Sequence, residues 1–207
     1  MKKKKVPSMV KDQQLIKKRR EQMIKAAVTL FKEKGFHRTT TREIAKESGF
    51  SIGTLYEYIG SKEDILYLVC DAIYDEVSEK LKKRLTQDVE GIESLKSAIA
   101  ALFKVIDDLQ DEVLVMYQES KSLPKEALGY VLQKEMDMTA MIEQIIQECV
   151  KQGHLALADE EVKLAADNIL VQAHMWTFRR WQVQKNYTLD QYIELQTKLL
   201  LDGLLKK

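Results

Sequence analysis

At 207 residues, with 45% hydrophobic and 31% charged side chains and only 8 Gly and 2 Pro, the chain suits a helix-rich globule and is excluded from the fibrous and disordered classes. Its net charge of +1 hides an asymmetry: residues 1–66 hold 16 Lys and Arg against 8 Asp and Glu, whereas residues 67–207 hold 17 against 24. A basic first third suits a polyanion such as nucleic acid, because neutralised phosphates release counterions, and an acidic remainder is repelled by the same partner.

The chain opens on Lys2–Lys5, a charge run followed by polar residues. It reads as a flexible basic tail over residues 1–12, with a DNA-tracking arm as the alternative. From Gln13 to Lys34, Ile16, Met23, Ala27, Leu30 and Phe31 recur at helical spacing, and Gly35 stops the pattern. Thr40-Thr41-Arg42-Glu43 is a capping box opening a second, two-turn helix that ends near Gly49. Ser51 then caps a third short helix over residues 52–59, closed by Gly60. Two short helices around a glycine-containing turn form the helix-turn-helix pattern, whose second helix enters the major groove.

Ser61-Lys62-Glu63-Asp64 starts a fourth helix with an acidic first turn, running to about Leu85 and joining the two parts of the chain. Beyond Gly91 the pattern is a series of longer helices with breaks near Asp111, Leu123-Pro124 and Gly153. The later ones cover about 124–152, 160–184 and 189–206, the last capped by Thr188 with Gln191. The reading is all-α, nine helices: a helix-turn-helix DNA-binding domain over 13–60 and a ligand-binding and dimerisation domain over 61–207. Cys70 and Cys149 lack metal or disulfide spacing and are expected as buried small hydrophobes. No uncharged apolar run of 18 residues occurs, so no membrane partner is expected and the protein reads as cytoplasmic.

Residues 22–66 resemble the TetR family of bacterial regulators. The likeness is carried by Ala26-Ala27, Leu30-Phe31, Gly35-Phe36, Thr39-Thr40-Thr41, Ile44-Ala45, Gly49, Gly53-Thr54-Leu55-Tyr56, Tyr58 and Ser61-Lys62-Glu63. It implies DNA contact at Thr40, Ser51, Gly53, Tyr56, Tyr58 and Lys62, a homodimer built from the last two helices, and repression by occlusion of a palindromic operator. The residues themselves support that list and add Thr41 and Thr54. Gly53 permits close backbone approach, Thr54 can bond a base edge or phosphate, Tyr56 and Tyr58 offer hydroxyls and flat faces, and Lys62 with free N–H groups suits a phosphate. Thr40 and Thr41 could hold phosphate at a helix start, with a plain N-cap as the competing role of Thr40. Packing against the first helix is the competing role of Tyr58. Glu57 is expected to face solvent, and Leu55 and Ile59 to point inward.

In the acidic part, His174-Met175-Trp176-Thr177-Phe178-Arg179-Arg180-Trp181 is the most unusual stretch. Trp176 and Arg180 fall one turn apart, as for a cation–π pair, and Arg179 adds a second guanidinium. The arginines could hold an anionic group or pair across a dimer two-fold. Met116, Tyr117, Met136, Met138 and Met141 suggest an adaptable apolar pocket, with core packing as the alternative. Together they point to a long, amphipathic, anionic effector such as a fatty acid or acyl-CoA. Trp181, Leu195, Leu199 and Leu200 are candidate dimer-seam residues. No cofactor, metal site or catalytic residue is expected: the three histidines have no ligand spacing and no nucleophile motif occurs. The alternatives are a ligand-independent or activating DNA-binding regulator and, more remotely, an enzyme.

Overall fold

The structure, a computed structural model, describes residues 4–85 and 90–204. Among them are ten α-helices and no strand. In chain order these are α1 (Gln13–Arg38), α2 (Thr41–Glu47), α3 (Ile52–Tyr56), α4 (Lys62–Leu85), α5 (Gly91–Asp108), α6 (Gln110–Glu119), α7 (Lys125–Lys151), α8 (Asp159–Phe178), α9 (Arg180–Asn186) and α10 (Leu189–Leu204). A single 3-10 turn, Ser120–Ser122, separates α6 from α7. The helix expected over 160–184 becomes α8 and α9 because Arg179 leaves helical geometry (φ −115°, ψ 28°), a break that keeps Arg179 and Arg180 exposed.

Contacts gather the chain into two compact units, one of residues up to 75 with 111–134, the other of 76–110 with 135–207. The sequence boundary at 60/61 divides the chain by role; these units divide it by packing, and α4 and α7 each contribute residues to both.

In the first unit, α1 buries Ile16, Met23, Ala26, Ala27 and Phe31, and Ile44, Ala45 and Leu55 of α2 and α3 are also buried. Burying each large aliphatic contributes roughly 1.5–3 kcal/mol. Gly35, expected as a helix stop, interrupts α1 at φ 79°, ψ 161°, a backbone region that side chains disfavour. Thr39 is buried just beyond, its hydroxyl donating to the Gly35 carbonyl at 2.9 Å.

The segment expected as a flexible tail is a strap instead, from Lys4 onward; Met1–Lys3 lie outside the described residues. Val6 is only 6% exposed. Arg20 donates to the carbonyls of Val6 (2.9 Å), Pro7 (3.1 Å) and Tyr58 (2.9 Å), while Met9 N–H and the Ser8 hydroxyl donate to the Glu57 carbonyl. Lys4 Nζ reaches Asp64 at 2.6 Å. A charge run reads as solvated because lysines need water, but one apolar residue, Val6, and a row of bare carbonyls suffice to dock it.

In the second unit, α5 packs on α8 and α10. It buries Leu95, Ala98, Ile99, Leu102, Phe103, Val105 and Ile106. Both cysteines are buried as expected, Cys149 donating to the Gly91 carbonyl at 3.3 Å.

Candidate functional site

The helix-turn-helix is set by short-range signals. Thr40 Oγ1 accepts from the Glu43 N–H (3.3 Å), and Glu43 Oε2 accepts from the Thr40 N–H and hydroxyl (both 2.8 Å). The side-chain hydrogen bond from Lys34, followed by those from Thr40, holds the Glu43 carboxyl down at about 2. In the turn, Gly49 takes φ 74° and Phe50 N–H returns to the Ala45 carbonyl at 2.8 Å. Ser51 Oγ then accepts from Thr54 N–H at 3.0 Å and lies 3.0 Å from the Thr54 hydroxyl. Fully buried Leu55 and Ile59 anchor the second helix, as expected.

The outer face carries most of the expected DNA-contact residues. Thr40, Ser51 and Gly53 are exposed, Thr41 and Thr54 half-buried. Tyr56 is 41% exposed and its hydroxyl lies 3.2 Å from Thr41 Oγ1, tying the starts and ends of the two helices together. A Cβ added at Gly53 would meet only Ser51 Oγ at 3.7 Å, an ordinary contact. Nothing inside the chain requires glycine there.

Two expected contacts are corrected. Tyr58 is only 4% exposed, because α3 ends at Tyr56 and the following turn carries Tyr58 into the core. Its carbonyl, not its ring, is engaged, by Arg20. Lys62 Nζ donates to the carbonyls of Phe36 (2.9 Å) and Thr39 (3.0 Å) and sits 4.1 Å from the Phe36 ring centroid. Its charge is engaged by the bare carbonyls around the end of α1. Arg42 and Lys46, exposed on α2, are cations that motif reading passed over; their signal was charge on the face opposite Ile44 and Ala45.

The expected ligand residues are divided between the two units. Met116 is buried and Tyr117 exposed in the first unit, while Met136 is exposed, Met138 buried and Met141 half-buried in the second. Met141 lines a cleft of about 600 Å³ between α5 and α7 with Glu90, Gly91, Ser94, Ile145, Glu148 and Cys149. Trp176 is buried and donates from Nε1 to Asp107 Oδ1 at 2.6 Å. The break at Arg179 removes the continuous face that Trp176 and Arg180 were expected to share, and Arg179 lies over Trp181 instead, 5.5 Å from its centroid.

Apolar side chains do stand exposed on the last long helices: Leu195 and Leu199 on α10, as expected, with Leu200 half-buried, and Trp181 on α9. Sequence reading missed Leu164 and Val171 on α8, both more than half exposed. Their seven-residue spacing, continued by Met175 and Phe178, was a visible coiled-coil-like signal. Among the described residues no group of three or more His, Cys, Asp or Glu could hold a metal, and no helix is long and apolar enough to cross a membrane.

Comparison with known proteins agrees with this arrangement. Residues 23–67 match the family model "Bacterial regulatory proteins, tetR family" and residues 88–204 match "Tetracyclin repressor-like, C-terminal domain". The chain is 31% identical over 200 residues to the HTH-type transcriptional regulator HbdR of Aromatoleum sp. (strain CIB), covering 97% of this chain and 86% of that one. It is 26% identical over 188 residues to the HTH-type transcriptional repressor KstR2 of Rhodococcus jostii (strain RHA1), covering 90% and 91%. The crystal structure of AibR with isovaleryl coenzyme A and operator DNA shares the fold, with a TM-score of 0.74 at 18% identity over 87% of this chain and 97% of that one.

Proposed function

The chain belongs to the TetR family of bacterial regulatory proteins, and we propose that it is a homodimeric transcriptional repressor that occupies a palindromic operator and leaves it when a small molecule binds the second unit. The observation that carries this reading is the outer face of α2 and α3, where Thr40, Thr41, Ser51, Gly53, Thr54 and Tyr56 form a rigid, doubly capped surface with a bare glycine at its centre. Arg42 and Lys46 supply phosphate-neutralising charge beside it.

One such helix reads too few base pairs for genomic specificity, so the protein works as a dimer. We assign the seam to Leu164 and Val171 of α8 with Leu195 and Leu199 of α10, apolar residues left exposed to water on these two helices. Trp181 and Leu200 flank it. For the effector we propose an acyl-CoA or a fatty acid. Supporting this, the same fold holds isovaleryl coenzyme A in AibR. Binding favours a state whose recognition helices no longer match successive major grooves, about 34–36 Å apart, and effector and operator weaken each other's binding by the same factor. α4 and α7, shared by both units, are the covalent routes for that coupling.

Footprinting on fragments recovered by in vitro selection tests the reading. A single short palindrome protected by dimer is expected; diffuse protection, or none, contradicts it.

A further inference from the structure

Among the described residues of the second unit, three buried side-chain atoms have no hydrogen-bond partner: His174 Nε2 and Thr177 Oγ1 on α8, and Thr197 Oγ1 on α10, while other buried polar groups are satisfied. Trp176 Nε1 has Asp107 at 2.6 Å and the Tyr192 hydroxyl has the Gln172 carbonyl at 3.0 Å. His174 and Thr177, on the same helix, are 6% and 1% exposed, yet His174 Nε2 and Thr177 Oγ1 are buried without a hydrogen-bond partner. Residues three apart on an α-helix are neighbours on one face, so His174 and Thr177 stand side by side on α8. The His174 ring also lies against Phe178, with centroids 5.4 Å apart, giving the pair an aromatic flank. Buried polar atoms are rarely left unpaired, and a pair left so on one face is where a polar group from outside the chain belongs.

We propose that His174 Nε2 and Thr177 Oγ1 anchor the polar end of the effector, and that they take an uncharged oxygen on an apolar skeleton, a ketone or thioester carbonyl, rather than a carboxylate. The proposal rests on the effector-responsive reading above and decides between its two acyl classes in favour of the thioester. Three features carry the choice. Burial pushes the imidazole down to about 4, so at neutral pH it is an uncharged ring able to donate one hydrogen bond. The threonine hydroxyl is likewise a neutral donor. A carboxylate there would either stand as a buried, unpaired charge or bring a second buried charge by protonating the imidazole, and both cost more than a carbonyl with the same two bonds.

The test uses the intact protein and probes of one shape: cyclohexanone, S-methyl cyclohexanecarbothioate and cyclohexanecarboxylate. The chain has only three histidines, His37, His154 and His174, so imidazole nitrogen resonances are readily assigned with His174→Phe. Either neutral probe is expected to shift the His174 signals, and the stronger of the two separates a ketone from a thioester source; the carboxylate is expected to leave them unmoved. Thr177→Val should weaken the neutral probe's effect while raising the Tm of the ligand-free protein by about 2–4 °C, because an unpaired hydroxyl is replaced by an isosteric methyl. A carboxylate that binds at His174, silence from all three probes, or a Thr177→Val protein that melts below the wild type overturns the proposal. Operator affinity of the wild-type protein is measured alongside, so the repressor reading is judged on that binding alone whatever the probes do.

Discussion

The DNA-reading unit and the effector unit use polar side chains in opposite ways. In the first, Thr40, Glu43, Ser51, Thr54 and Lys62 bond to one another or to nearby backbone, and what they present outward is shape. The orphan there is Arg19 Nε, whose guanidinium still bonds Gln22 and lies over Phe50. In the second, His174 and Thr177 are left incomplete inside, while Leu164, Val171, Leu195 and Leu199 are left uncovered outside. A surface that must fit a stiff duplex gains from being finished before its partner arrives, because less ordering remains at binding. A unit that must answer a ligand and hold a second copy needs vacancies.

That contrast can be broken most severely at the dimer seam. Leu199→Asp should leave the monomer folded, since the side chain is 69% exposed, but raise the dimer dissociation constant and lower operator affinity by about 100-fold or more. Sedimentation equilibrium with operator titration checks both; a dimer as tight as the wild type removes the seam assignment.

Next in size is the buried histidine. Its pKa is lowered to about 4 by burial, so the unfolded chain takes a proton near 6.5 that the folded one refuses. Stability is therefore complete above about pH 6.5 and falls as pH drops toward 4, by up to about 3 kcal/mol. His174→Phe should flatten this part of the Tm-versus-pH curve. An unchanged slope would place the titration elsewhere.

Lys62→Ala tests the finished character of the DNA-reading unit. Removing a cation from the Phe36 and Thr39 carbonyls should cost about 1.5–3 kcal/mol in urea unfolding. The salt dependence of operator binding should stay as it was, whereas a phosphate-binding Lys62 would lose about one unit of slope.

The smallest effect is expected at Glu43. Its carboxyl is held at about 2 by Lys34 and Thr40, so its contribution is present above about pH 4.5 and is lost as pH falls toward 2. Being exposed, Glu43→Gln should move the neutral-pH Tm only slightly, and a large drop would show the cap to be a main support of α2.

The same contrast decides what was legible in the sequence. Caps act over three residues, so Thr40 with Glu43, Ser51 with Thr54 and Thr188 with Gln191 could be read directly, as could the stop at Gly35. Tyr56 and Tyr58 look equivalent on paper; one residue of helix end sends one outward and the other into the core. Lys62 looked like a phosphate ligand because its partners lie 23 and 26 residues away, beyond any local pattern. The strap was hidden for the same reason, its pin Arg20 meeting carbonyls 13 to 38 residues distant. In the second unit the spacing of Met116, Tyr117, Met138 and Met141 carried no information about which unit each would join. The break at Arg179 has no glycine or proline to announce it.

The central claim is that the α2–α3 face is shaped for DNA rather than for the fold, and Gly53→Ala tests it in one pair of measurements. Urea unfolding and fluorescence anisotropy on the selected operator should move in opposite directions. The variant should be more stable by about 0.5–1 kcal/mol, because alanine suits a helix better than glycine and meets only Ser51 Oγ at 3.7 Å. It should bind operator at least about tenfold more weakly, because the added methyl stands between backbone and duplex. A Gly53→Ala protein that is stabilised and binds operator as tightly as the wild type would contradict the account.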